Sequence, residues 1–389
     1  MTRDLDVVLV GATGFTGTLA AEHLARAAPT DLRWALAGRN RAKLEAVREA
    51  LPAGVAPAEI VVVASDDDAA LRSLAERSRV VIGAVGPYLQ HGDPLVAACA
   101  AAGTDYVDLT GEPEFVDRTY LRHHATAVAS GARLVHACGF DSVPHDLGAL
   151  FTVRQLVDVD GPVRLRGVVR AGGGVSGGTF ASLLGAASRV REMRAAARER
   201  AAAEPAPSDG RRARQVTLRP GRDPLLGLWL LPLPAIDQAI IARSAAALPD
   251  FGPDLSYSHA AGLRRAPVLV GALGGIAATV AVAQVGPARR LLMRRLPQGT
   301  GPSAEVRAAS GFTVDLVAET DAGPWVHCRV TGMDPYDLSG IALAESALSL
   351  ALDDNPPTAG QVTTAQAMGD ALTARMERVG VRFEVVARG

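Results

Sequence analysis

Lysine is almost missing from this chain of 389 residues: Lys43 is the only one, and the remaining basic charge rests on arginine. That scarcity removes any mechanism that needs a catalytic lysine elsewhere in the sequence. The tyrosines stand at 88, 106, 120, 257 and 336, so no Tyr-x-x-x-Lys pair exists and the short-chain dehydrogenase mechanism is excluded. Cysteine is scarce too. Cys99, Cys138 and Cys328 form no CxxC pair and no metal spacing, which fits a reduced cytoplasmic protein. No GxSxG elbow, HExxH helix or cysteine–histidine cluster occurs. A net charge of −1 supplies no field that would draw the chain to nucleic acid. The first residues are polar and lead straight into an apolar run, so no secretory signal is expected.

What is present has an ordinary globular composition, 48% apolar and 21% charged, over a length that holds two domains. Short apolar runs at 5–10, 32–37, 60–64, 80–84, 106–109 and 133–137 alternate with helical stretches at 19–28, 41–51, 69–77, 94–102 and 114–130. This alternation predicts an α/β fold, a parallel Rossmann-type sheet covered by helices, over residues 1–148. Beyond it the texture changes. A strand at 163–170, a glycine-rich loop at 172–178 and a long helix at 180–200 come first. The second half of the Arg/Ala/Glu/Pro-rich stretch 191–214 reads as an exposed, mobile loop. Two β-rich runs, 312–320 and 325–331, flank Asp321-Ala322-Gly323-Pro324 and predict a hairpin. Residues 149–338 thus read as an α+β substrate and dimerisation domain with a mixed or antiparallel sheet. A helix at 341–352 and a strand at 381–386 belong to a tail, 339–389, expected to pack back on the first domain.

Residues 266–288 carry no charge, and Arg264, Arg265, Arg289 and Arg290 flank them. Length alone would permit a membrane span. Four glycines, two prolines and a glutamine dilute the run. Two readings stand: a buried or interface-lying helix, and a peripheral contact of 264–290 with an anionic lipid surface.

The loop Gly11-Ala12-Thr13-Gly14-Phe15-Thr16-Gly17 joins the first strand to the first helix. Glycine permits the tight turn, bare backbone admits a diphosphate, and the helix N-terminus offers free N–H groups with a partial positive charge. Thr13 and Thr16 add hydroxyl donors. The end of the second strand, Gly38-Arg39-Asn40, selects the cofactor: no carboxylate lies between Asp31 and Glu45 to hold a ribose, and Arg39 suits a 2′-phosphate. NADP(H) is therefore expected rather than NAD(H). Ser65 and Asp66 after the third strand are placed to flank the adenine. The turn Ala84-Val85-Gly86 and Tyr88 after the fourth lie where a nicotinamide ribose passes.

The motifs GATGFTG at 11–17, AGRN at 37–40, GPY at 86–88 and YVDLTGE at 106–112 resemble the saccharopine dehydrogenase-like family, as do residues 139–148 (GFDSVPHDLG) and Ser176-Gly177-Gly178-Thr179. More narrowly, the sequence is similar to the trans-acting enoyl reductases, which serve polyketide and lipid synthases. The stretch 231–257, with Pro232, Asp237, Arg243 and Ser244, looks like that branch. The resemblance implies a Rossmann domain, a mixed-sheet second domain, and NADPH reduction of a carbon–carbon double bond in an acyl chain, free or carrier-bound. The family also contains amino-acid-linked saccharopine dehydrogenases and lipid-droplet-associated proteins without an agreed reaction. The alternatives are therefore a saccharopine-type dehydrogenase and a non-catalytic NADPH-binding, membrane-associated protein, although alanine, leucine and glycine in the middle domain favour an apolar acyl substrate.

For the proton, Asp141 and His145 follow the sixth strand at the edge where ligands sit in such sheets, and Tyr88 is a second donor beside the nicotinamide. Plainer readings stand beside these: Ser142 and Pro144 as helix-start residues, His145 as a first-turn surface residue, and Tyr88 as packing under the cofactor. Backbone N–H groups of Ser176, Gly177, Gly178 and Thr179 are placed to hold a thioester oxygen. Glu112, His91 and His136 read as structural or supporting residues.

Overall fold

The computed structural model describes residues 3–57, 59–156, 161–172, 188–233, 235–284, 301–321 and 323–389. It divides into two compact units: 1–143 with 196–203 and 336–380, and 144–195 with 204–335 and 381–389.

In the first unit, β1 (Leu5–Val10), β2 (Trp34–Gly38), β3 (Glu59–Val62), β4 (Ser78–Gly83), β5 (Asp105–Asp108) and β6 (Arg133–Val135) pair in parallel in the order β6-β5-β4-β1-β2-β3. β1 is buried at every position, as a parallel strand covered on both faces requires. Between the strands run α1 (Phe15–Ala27), α2 (Arg41–Ala50), α3 (Asp68–Arg77), α4 (Tyr88–His91), α5 (Asp93–Ala102) and α6 (Pro113–Ser130). Asn40 and Asp67 cap α2 and α3 by accepting the N–H of Lys43 and Ala70, both at 3.0 Å. α5 ends on Gly103 in the left-handed region, φ +68°, where other residues are strained.

The second unit begins with α7 (Val143–Val153), whose Gly148 lies close on its sheet: a Cβ there would stand 2.8 Å from Leu316 and Val330. That sheet contains β7 (Pro162–Ala171), β8 (Arg212–Gln215), β9 (Gly221–Arg222), β10 (Trp229–Pro232), β11 (Asp254–Leu263), β12 (Phe312–Thr320) and β13 (Trp325–Gly332). It is mixed. β7 and β8 run parallel to β11, whereas β12 pairs antiparallel with both β7 and β13. β12 and β13 form the expected hairpin.

The last segment of the chain is shared out. β14 (Gly360–Val362) pairs in parallel with β6 as a seventh strand of the first sheet, and β15 (Arg382–Arg388) pairs with β13 at the edge of the second. The helix Pro335–Leu352 lies on α1, where a Cβ on Gly340 would meet Leu19 at 2.6 Å.

Two expectations change. In the stretch 191–214 a helix runs Val190–Ala203 and the second half is a largely exposed loop over 204–211, as expected, but Arg212–Gln215 forms β8 because its backbone finds a parallel partner in β11. The run 266–288 is helical over Ala266–Gln284 but not buried: Val268, Val270, Leu273 and Ile276 are exposed. Among the described residues no helix is long and apolar enough to cross a membrane.

Candidate functional site

Because β1 to β4 are parallel and adjacent, the loops that follow them open at one carboxyl edge. The chain leaves β1 through Gly11, whose N–H donates to Ala37 of β2 at 2.9 Å, while Ala84 donates back to Val10 at 2.8 Å. Gly11 has φ +92°, and a Cβ on it would press to 2.6 Å from the carbonyl of Ala84. Gly17 is equally confined, since its Cβ would stand 2.2 Å from the Gly11 carbonyl. These two glycines let α1 start directly against the strand ends. Gly14 is the N-cap of α1, with no side chain capping the helix and no acidic residue in its first turn. The first-turn N–H groups and the helix dipole are left to an anion. Thr18 turns its hydroxyl onto the Ala12 and Gly14 carbonyls at 3.1 and 3.0 Å and holds the loop closed. Thr13 is exposed and Thr16 half-buried. Phe15 packs edge-on against Tyr336, 5.8 Å between ring centres.

At the end of β2, Arg39 is exposed and forms no ion pair among the described residues. Asn40, its neighbour, is occupied as the α2 cap. A free guanidinium with no carboxylate beside it fits a 2′-phosphate rather than ribose hydroxyls. Ser65 is half-buried and Asp66 exposed after β3, where Val63 donates to Gly38 at 3.0 Å. The uncapped helix, the cramped glycines and the free Arg39 together match the shape and charge of NADP(H).

After β4, Ala84, Val85 and Gly86 lead into α4. The Glu112 carboxylate accepts the N–H groups of Tyr88 and Leu89, each at 3.0 Å, and so caps that short helix. Tyr88 is buried. Its hydroxyl donates to the Gly83 carbonyl at 2.9 Å and accepts the Leu109 N–H at 3.4 Å. Burial pushes its pKa well above the phenolic range, and the Asp108 and Glu112 charges push the same way. His136 is buried between Asp108 and Thr119, with Nδ1 2.7 Å from Asp108 and Nε2 3.1 Å from Thr119. Gln361 of β14 donates to the same Thr119 hydroxyl at 3.0 Å. The supporting roles expected of Glu112 and His136 thus have partners; His91 is exposed.

Asp141 follows the β6 loop. Its carboxyl reaches solvent, forms no ion pair among the described residues, and stands 3.2 Å from where a Gly111 Cβ would be. The surrounding protein displaces much of its water, which raises its pKa above the usual carboxylate range.

In the second unit, His145 is buried rather than a surface residue of its helix. Its Nδ1 lies 3.4 Å from Asp237, whose other oxygen is 3.8 Å from His259 Nε2. His259 Nδ1 meets the Tyr257 hydroxyl at 3.0 Å, and Ser244 donates to Asp146 at 2.6 Å. Sequence reading did not assemble this cluster. The available signal was Tyr257-x-His259 in a strand, two polar side chains on one face at period two. Ser176, Gly177, Gly178 and Thr179 lie outside the described residues.

Residues 7–135 match the saccharopine dehydrogenase NADP-binding domain. The trans-acting enoyl reductase of Mycobacterium bovis is 37% identical over 413 residues, covering 97% of this chain and 97% of its own. That of Mycobacterium ulcerans is 36% identical over 411 residues with the same coverage. Among solved structures, the apo saccharopine dehydrogenase (L-Glu forming) of Saccharomyces cerevisiae aligns with a TM-score of 0.53 at 13% identity, over 98% of this chain and 100% of that one. The last likeness concerns fold alone.

Proposed function

The chain belongs to the saccharopine dehydrogenase-like oxidoreductases, in the branch of the trans-acting enoyl reductases, and from that premise we propose that it reduces the carbon–carbon double bond of an enoyl thioester on a lipid or polyketide acyl chain. It is an NADP-dependent oxidoreductase. NADPH, when bound, supplies the hydride that the β-carbon of the enoyl group takes up.

The chain's own residues provide the rest. First-turn N–H groups of α1, with Thr13 and Thr16, hold the diphosphate, and Arg39 takes the 2′-phosphate. Ala84, Val85 and Gly86 shape the floor under the nicotinamide ribose, and Tyr88 fixes that floor through Gly83. Asp141 carries the proton destined for the α-carbon: a carboxyl held above its usual range keeps its proton to higher pH, as a general acid needs. His145, backed by Asp237, holds the start of α7. On sequence alone, Ser176 to Thr179 are assigned to the thioester carbonyl. The substrate is carried by a separate synthase, in keeping with the relatives' name.

One observation in the second unit supports an apolar substrate over an amino acid. The arginines of β7 and β13 already have internal partners: Arg166 lies 2.7 Å from Asp223, Arg170 and Arg329 meet Asp315 at 2.7 and 2.8 Å, and Arg164 pairs with Asp321. Burial alone would raise Asp315, yet His327, Arg170 and Arg329 hold it down at about 2. Capture of a substrate carboxylate by Arg166, Arg170 or Arg329 would leave the buried Asp223 or Asp315 short of a partner, a large cost.

The test follows NADPH absorbance with enoyl-coenzyme A thioesters of short and long chain, and mass spectrometry of the products. Saturated thioester formed in step with NADPH consumed is the expected result. NADPH binding without oxidation by any enoyl thioester, combined with NADP+ reduction by saccharopine, would replace the proposal with the amino-acid reading.

A further inference from the structure

The helix Ala266–Gln284 contains no charged residue, and Val268, Val270, Leu273 and Ile276 stand in solvent, Val270 at 69% exposure. At 100° per residue these four positions fan over about 200° of the circumference. From Gly271 to Ala278 every residue is exposed except the half-buried Ala272; Leu269 is the buried anchor to the body. A helix laid on a protein surface is apolar along one stripe and polar opposite it. Among its described side chains this one has no polar face.

A second copy of the chain or a protein partner would cover one side and leave the other apolar side in water. The acyl region of a lipid leaflet surrounds a helix and requires no polar side. The only hydroxyl among the helix side chains, that of Thr279, donates back to the Gly275 carbonyl at 2.8 Å and needs no outside partner. At the base of the helix Arg264 and Arg265 are exposed without ion pairs among the described residues. The next charge in the sequence is Arg289. We propose that this helix inserts into one leaflet of an anionic bilayer, with Arg264 and Arg265 at the phosphate headgroups. Such docking would hold the enzyme at the surface where long acyl chains partition.

The test floats the full chain on a density gradient with vesicles of phosphatidylcholine alone or with one-third phosphatidylglycerol. Wild type is expected to rise with the anionic vesicles. Arg264→Gln with Arg265→Gln should weaken binding about fivefold per arginine. Leu273→Asp with Ile276→Asp should leave the protein at the bottom. Unchanged NADPH binding in each exposed-site variant controls for folding. The proposal is overturned if wild type stays at the bottom with both vesicles, or if the aspartate variant floats as wild type does. A concentration-dependent dimer that the aspartates split, without flotation, would assign the helix to a second copy instead.

Discussion

The hydroxyl of Tyr88 donates to the carbonyl of Gly83 at 2.9 Å, tying the first residue of α4 to the last residue of β4. Its proton is thereby directed at the backbone of the turn. Tyr88→Phe should destabilise the fold by about 1–2 kcal/mol, the cost of an unmatched buried acceptor. Enoyl reduction should stay within tenfold of wild type. A drop of about 10²–10⁴, the contribution of a general acid, would instead make Tyr88 the donor.

Asp141 stands in the opposite position, with no internal partner to lose among the described residues. Asp141→Asn should leave the unfolding free energy from urea denaturation within about 0.5 kcal/mol of wild type. Turnover should fall about 10²–10⁴-fold. Because the carboxyl titrates above its usual range, wild-type turnover should decline as pH rises through that titration, and the variant should lack that limb.

Arg39→Ala should weaken NADPH about 10–100-fold, the loss of one or two charge-assisted hydrogen bonds. NADH binding should be almost unchanged, since it lacks the 2′-phosphate. Fluorescence titration of both nucleotides measures the ratio; equal losses for both would place the 2′-phosphate elsewhere.

Gly14 and Gly17 separate fold from cofactor. A Cβ on Gly14 meets the Gly11 carbonyl at an ordinary 3.4 Å, whereas on Gly17 it would stand at 2.2 Å. Gly14→Ala should therefore melt near wild type yet bind NADPH at least tenfold more weakly. Gly17→Ala should lose about 1–3 kcal/mol of stability as an overpacked position. Thermal melts with and without NADPH distinguish the two.

Burial holds the His259 imidazole down from 6.5 to about 4. Below 6.5 the unfolded chain takes up a proton that the folded chain refuses. Stability is therefore complete above 6.5 and falls as pH drops towards 4. His259 should cost about 2 kcal/mol between pH 7 and pH 5. Urea denaturation across that range should show a shallower slope in His259→Gln; parallel slopes would mean His259 is not the group responsible.

Local signals made much of the first unit legible. Apolar runs of four to six residues between helical stretches, and glycines at the first strand–helix turn, depend only on neighbours in sequence. The sequence also sufficed for the common edge at which the loops after β1 to β4 open, because parallel strands must open their loops at the same end. The pairing of β14 with β6 was beyond it, since Gly360 and Arg133 are brought together by a return of the chain across more than two hundred residues. Likewise β8 finds its partner forty residues on, and its arginine-rich composition reads as loop until β11 is beside it.

Chemistry divides the same way. By itself the sequence determined what is excluded, through one lysine, and that a dinucleotide-binding domain opens the chain; the roles of Gly11 to Gly17 and Arg39 in it are the proposal that their variants test. Only the tertiary structure decided that Tyr88 spends its proton on Gly83, that Asp141 has no partner among the described residues, and that Asp237 stands between His145 and His259. Those facts concern distance and loss of water at a side chain. Both arise when segments far apart in the chain pack together, and neither is written in the order of residues.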